Sequence, residues 1–521
     1  MKFLKKSVVC FLALLTITAC LTGCIGKKPT PQTQHDITVK FWNSGINSEF
    51  LTKTIEGFQK AYPEYRVWPE ISSNRKDIVN DFGKGEEIDG VDVWMYPTDS
   101  LSSKTIAEYA EPLNDILTEK YKDESITIGA KFEPIVLENL KRTDGNYYSL
   151  SYSGGCYGIV YNEDIMKEGN YPLPRTSTEL EYLTIDLARD LESKGISPFI
   201  HFTEGGYWNM IYSVWQAQYD GLDYYQNTFM PLDGGESDPA PSKNVLLKKD
   251  GRYKAIEALG RILKPSYVYN GSNSTSFTDA QTLYIQNKAV MMVNGSWMLN
   301  EMKTTATNKN FKIMKTPVIS SIVEQCDSIK GENGGSAEDE LCALIDAVDS
   351  VSSAEDVPLS GAGYSVEKED AERIYVARNI MKNNFDVHGI MIPTYSTAKE
   401  GAKLFVKYFY SDENLKNYWE TTKLPLPVHY SNGEGPNMEG WDEWSIQQQK
   451  YAKTSIPLYL VQRTASPIFT AGGADPYADV NIVSKFTSNN PNDRLDVGGV
   501  WDLIAGTLNR EWENYKTNAQ L

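Results

Sequence analysis

From Ile37 the chain reads Ile-Thr-Val-Lys-Phe, apolar and polar positions in alternation, and closes on Trp42. A period of two predicts a strand with one face buried. Asn43-Ser44-Gly45 predicts a turn. Leu51, Ile55, Phe58 and Tyr62 then recur every three or four residues, which predicts a helix that Pro63 stops. Tyr65 to Trp68 predicts the next strand, so the chain opens with a strand–helix–strand unit. Val91 to Met95 predicts another strand, followed by a loop from Tyr96 to Asp99.

The alternation of strands and helices continues. Gly155 to Asn162 predicts a strand, and 178–195, ending in Lys194-Gly195, predicts a capped helix. Residues 207–219 carry a dense aromatic face. Ala280 to Asn287 predicts a short helix, Ala289 to Val293 a buried strand, and Asn294-Gly295-Ser296-Trp297 the opening of another helix. Residues 397–410 and 412–421 predict a helix pair, with Pro425 and Pro427 breaking the pattern after it. Residues 325–360 are acidic and rich in Ser and Gly, and read as an insertion. The expected class is α/β.

The first 24 residues stand apart. Lys2, Lys5 and Lys6 precede a short apolar run from Val8 to Ile17, shorter than a membrane span. Leu21-Thr22-Gly23-Cys24 then resembles a bacterial lipobox, with Cys24 the lipidated residue. Residues 1–23 are expected to be a signal peptide and 24–36 a flexible tether. No other run is long and apolar enough to span a membrane. Cys326 and Cys342 bracket a polar stretch, and in an oxidising compartment they are a candidate disulfide; the alternative is two separate thiols.

Composition narrows the function. The 521 residues carry 69 acidic and 51 basic side chains, a net charge of −18. That balance disfavours nucleic acid as a partner. Only 4 histidines are present, which disfavours a His-rich metal site or a Cys/His zinc site; Asp475, Asp479 and Asn481 lack the spacing of a calcium loop, and neither a metal nor a cofactor is expected. The 32 Tyr and 11 Trp suit flat amphipathic binding surfaces as well as a core. No nucleophile elbow, zinc-protease motif, phosphate loop or dinucleotide fingerprint occurs, so the chain is not expected to be an enzyme. With so many acids, a pair of glycosidase carboxylates cannot be picked out.

Several segments, in order, resemble the extracellular solute-binding proteins of ABC importers, in the maltose-binding branch. They are Ile37–Trp42 with its helix and Tyr62-Pro63-Glu64, then Tyr157–Met166 followed by Pro172–Thr176, then Lys288–Trp297, and the late helix pair within 393–428. The resemblance implies a type II periplasmic-binding-protein-like fold, two α/β lobes with a ligand cleft between them. Lobe 1 is expected to comprise 37–152 and 318–424, including the insertion at 325–360. Lobe 2 is expected to comprise 153–317 and 425–521. Crossings are expected near 150–156, 315–320 and 424–428. The implied function is capture of a carbohydrate, an oligosaccharide by preference, by a monomeric lipid-anchored receptor on the extracytoplasmic face of the membrane. The receptor would pass it to the transmembrane subunits of a permease. The competing reading is a lipid-anchored extracellular polysaccharide-processing enzyme or a surface glycan-binding adhesin.

In open α/β sheets, ligands sit at the carboxyl ends of strands. Trp42, Asn43, Tyr96, Asn294 and Trp297 follow or end expected strands and become cleft candidates. The resemblance adds weight to Trp297 and to Tyr207 and Trp208. Tyr364 in a Gly-rich loop and Trp441 in a second such loop complete the set. The amides of Gly295 and Ser296 are expected to be free for ligand hydroxyls.

Overall fold

The alternating run at the N-terminus forms a strand because one side can be buried completely: Ile37, Val39 and Phe41 are fully enclosed. The computed structural model describes residues 33–519 except 44, 47, 88–89, 99–100, 102, 143, 204–205, 230–242, 303–304, 306–309, 333–334 and 460–480. Cys24 and the signal segment lie outside the described residues.

The strands are β1 (Asp36–Trp42), β2 (Arg66–Ser72), β3 (Val93–Pro97), β4 (Leu150–Ser151), β5 (Tyr157–Asn162), β6 (Ser197–Phe199) and β7 (Ala289–Gly295). They continue as β8 (Phe311–Met314), β9 (Ser360–Gly361), β10 (Tyr364–Ser365), β11 (Ile380–Asn383), β12 (His388–Met391) and β13 (Ile456–Tyr459). One sheet runs β2-β1-β3-β12-β4 and a second runs β6-β7-β5-β8. In the first, β1 pairs in parallel with β2 and β3, and β12 returns antiparallel beside β3. The helix Glu49–Ala61 covers this sheet with Leu51, Ile55 and Phe58, as its spacing predicts, and with Phe50; Tyr62 caps its C-terminus.

Among the described residues two large hydrophobic cores result, with smaller clusters beside them. The first joins residues of 37–152 to residues of 385–428. The second joins 159–377 to the C-terminal helix through Trp501, Ile504 and Leu508. Residues 318–377 were expected in the first lobe and pack in the second instead. The reason is the helix Ala337–Asp349 inside the acidic stretch. Its Leu341, Leu344, Ile345 and Val348 form a buried stripe at helical spacing, which the acids of its first turn obscure in the sequence. Ser336 and Asp339 close its N-terminus with a capping box.

The chain therefore does not cross between cores at 315–320. It crosses after Tyr152 and returns between Met381 and Phe385. These two segments hold each other. Cys156 bridges to Asn383, Gly155 N–H donates to Asn384 Oδ1 at 2.8 Å, and Asn384 N–H donates to Gly155 O at 3.2 Å. A third crossing follows Val428, which lies in the first core, and reaches Trp444, which packs on the second lobe.

The candidate disulfide does not form. Cys326 and Cys342 are both free and buried. Cys326 Sγ donates to Ile322 O at 3.5 Å, whereas Cys342 Sγ donates to Glu179 Oε1 at 3.5 Å. Burial pushes both thiols up to about 12. Among the described residues, no helix is long and apolar enough to cross a membrane, and no group of His, Cys, Asp and Glu is arranged to hold a metal ion.

Candidate functional site

A cavity of about 230 Å3 opens between the two cores. Trp42, Ile46, Arg75, Val387 and His388 reach it from the first lobe. Tyr157, Tyr207, Phe277, Trp297 and Glu301 reach it from the second, and Ser153, Gly154 and Asn384 come from the crossings.

Trp297 is placed by its own backbone. β7 ends at Gly295, and the indole folds back over that glycine; a Cβ there would stand 2.2 Å from the ring. Only a glycine admits this approach. The turn is held from behind, where buried Trp444 donates its indole N–H to Ser296 O at 3.1 Å. Three rings on the second-lobe wall then meet edge to face. Tyr157 and Trp297 are 4.8 Å apart at 81°, Tyr157 and Tyr207 are 5.3 Å apart at 71°, and Tyr207 and Trp297 are 6.0 Å apart at 90°. Mutually perpendicular rings present both faces and edges to one space, the arrangement aromatic quadrupoles favour.

Across the cavity, Trp42 stands 5.5 Å from His388, and the Arg75 guanidinium lies 5.9 Å over the Trp42 ring. The Trp42 indole N–H is buried and has no hydrogen-bond partner among the described residues. A donor in that state is costly unless a bound group accepts from it. Glu301 supplies a carboxyl. Gln281 Nε2 donates to its Oε2 at 2.8 Å, and burial pushes it up to about 7.

Of the residues expected at the cleft, Trp42, Tyr207 and Trp297 line the cavity. The others do not. Tyr96 is fully buried, packed on Trp94 with its hydroxyl donating to Asp77 Oδ2 at 3.3 Å; the strand's alternation turns it into the core beneath the cleft. Trp208 is buried against Phe199 at 5.1 Å, on the core side of the helix Trp208–Asp220. Asn294 is fully buried, its Oδ1 accepting from Gly295 N. Asn43 is exposed beside the cavity, its N–H donating to Ser72 O at 2.8 Å. Tyr364 sits in the β9–β10 hairpin, its hydroxyl bonded to Pro358 O, and belongs to the second core. Trp441 packs against the first core. The amides of Gly295 and Ser296 are also engaged, the first by Asn294 Oδ1 and the second by Cys156 O at 3.1 Å.

Sequence reasoning missed Arg75, Tyr157, Phe277, Glu301, Asn384 and His388. Glu301 carried a signal, because it follows Trp297 by four residues and shares its helical face. Asn384 and His388 carried none, since they depend on where the chain returns between the lobes.

The family model for bacterial extracellular solute-binding proteins matches residues 53–443. The multiple sugar-binding protein of Streptococcus mutans serotype c is 21% identical over 319 residues, 58% of this chain and 67% of its own. The bacterial solute receptor AcbH, described as having an exclusive preference for β-D-galactopyranose, superposes with a TM-score of 0.62 at 13% identity, covering 92% of this chain and 99% of AcbH. RafE in complex with raffinose superposes with a TM-score of 0.53 at 16% identity, covering 91% and 99%. These superpositions agree with the two-lobed fold. By the extent of the family match, this chain belongs to the bacterial extracellular solute-binding proteins.

Proposed function

We propose that the chain is the substrate-binding lipoprotein of an ABC importer, that it captures a neutral oligosaccharide between its lobes, and that it passes this to the permease without altering it. The observation that carries the reading is the cavity wall itself. Three edge-to-face rings and the Trp42 indole line one cavity, with a carboxyl, a guanidinium and an amide around them. A sugar ring offers an apolar C–H face to such rings and hydroxyls to such polar groups. The sugar ligands named for AcbH and RafE, and the name of the streptococcal relative, support the same class.

Both lobes line the cavity, so a ligand touching both favours closure. Cys24, at the end of the lipobox-like segment, is the anchoring residue in this reading, and two acyl chains hold where one does not. Loss of lipid labelling in Cys24→Ala tests the anchor. The function is tested by incubating the chain with neutral oligosaccharides and analysing them afterwards. Binding with every sugar recovered intact supports a receptor; a shortened product supports the polysaccharide-processing enzyme.

A further inference from the structure

Glu301 sits where the two lobes meet. It ends the short helix Met298–Glu301, and Gln281, itself fully buried, occupies Oε2. Oε1 carries no hydrogen bond among the described residues and faces the loop of the other lobe. That loop approaches through Gly45, whose φ of +65° lies in the left-handed region; a methyl group there would stand 3.3 Å from Oε1 and 2.9 Å from Trp297 Cβ. Ile46, Phe277, Trp297 and Leu424 supply apolar wall around the same cavity. The charged and titratable groups lining the same cavity are Arg75 and His388 from the first lobe and the phenols of Tyr157 and Tyr207 from the second; Gln281 on the helix Phe277–Ile285 is neutral.

We propose that Glu301 is a solute-contacting residue of the closed cleft, that the approach of the Gly45 loop shuts it away from water, and that closing takes up a proton there. This rests on the solute-receptor reading above. The physical reason is desolvation, which disfavours the charged carboxylate. Burial lifts this carboxyl from 4.5 to about 7 with the lobes in contact. Parting the lobes returns it to water and to the ordinary carboxylate range. The neutral carboxyl offers one O–H donor and one carbonyl acceptor, which matches a hydroxyl that both accepts and donates. The cleft therefore selects neutral hydroxyl-bearing solutes over acids, and capture weakens as pH rises from about 4.5 to about 7 and is level above that.

The test uses the full chain and Glu301→Gln, which keeps the shape and removes the titration. Small-angle scattering without ligand is recorded at pH 5.5 and 8.5. The closing equilibrium changes by up to about tenfold per pH unit between the two carboxyl values. We expect a smaller radius of gyration for the wild type at pH 5.5 than at 8.5, and one unchanging value for the Gln variant. A wild type indifferent to pH, or a Gln variant that still follows it, overturns the proposal. Raffinose titrations near pH 7, in two buffers of different ionisation enthalpy, add a second readout. Proton uptake by the wild type and none by the variant supports the proposal, and raffinose binding without proton uptake overturns it. Should raffinose give no heat at all, the sugar reading loses support, while scattering still decides the role of Glu301.

Discussion

The indole of Trp297 meets the phenol ring of Tyr157 edge to face, with centroids 4.8 Å apart and planes at 81°. Tyr207 meets the same indole at 90°. Trp297 is thus held from one side by rings and from beneath by Gly295, while part of it stays open to the cavity. Truncation removes a stacking surface without opening a core. Trp297→Ala should weaken sugar binding by about 10- to 1000-fold, roughly 1.4–4 kcal/mol. The ligand-free melting temperature should shift only slightly. Normal affinity in a poorly folding variant would move the stacking surface elsewhere.

Trp208 should behave in the opposite way. It is buried against Phe199 and contributes to the second core. Trp208→Ala leaves a cavity and should cost about 3–5 kcal/mol of stability. The fraction that folds should bind sugar with nearly wild-type affinity. Denaturant unfolding together with calorimetric titration separates the two effects.

Gly45 of the first lobe lies close against Trp297. Its φ of +65° and the 2.9 Å spacing both oppose a methyl group. Gly45→Ala should hold the lobes apart and lower affinity about tenfold or more, at a stability cost of only about 1 kcal/mol. Scattering with saturating ligand should show incomplete compaction. Full compaction with unchanged affinity would mean that this loop yields and does not gate the cleft.

Glu301 also links stability to pH. Its folded-state value, about 7, lies above the usual carboxylate value of 4.5 that applies on unfolding. Between these values the folded chain holds the extra proton. Its contribution to stability is therefore full below about 4.5, declines as pH rises to 7, and is level above that. The loss is on the order of 1–3 kcal/mol. Denaturant midpoints measured from pH 4.5 to 8.5 should show less decline in Glu301→Gln than in the wild type.

Much of the fold was legible because burial follows period. β1, β3, β5 and β7 and the helices Glu49–Ala61 and Ser177–Leu191 stand where alternating or 3.6-residue patterns place them. The lobe assignment of 318–377 was not legible, because composition hid the apolar stripe from Leu341 to Val348. At the site, Trp42 and Trp297 were readable as residues following strand ends. Tyr96 and Trp208 were not separable from them, since an aromatic residue looks the same whether its face turns to the cleft or to the core. His388 and Asn384 join the cavity only because the chain returns beside Gly155, more than 200 residues earlier in the sequence.

The most direct measurement is calorimetric titration of the full chain with a panel of neutral mono- and oligosaccharides, followed in parallel by tryptophan fluorescence. The account predicts that at least one sugar binds with one-to-one stoichiometry, perturbs the fluorescence, and loses most of its affinity in Trp297→Ala. A panel that gives neither heat nor fluorescence change, alongside saturable binding of a peptide or an ionised acid, would contradict it.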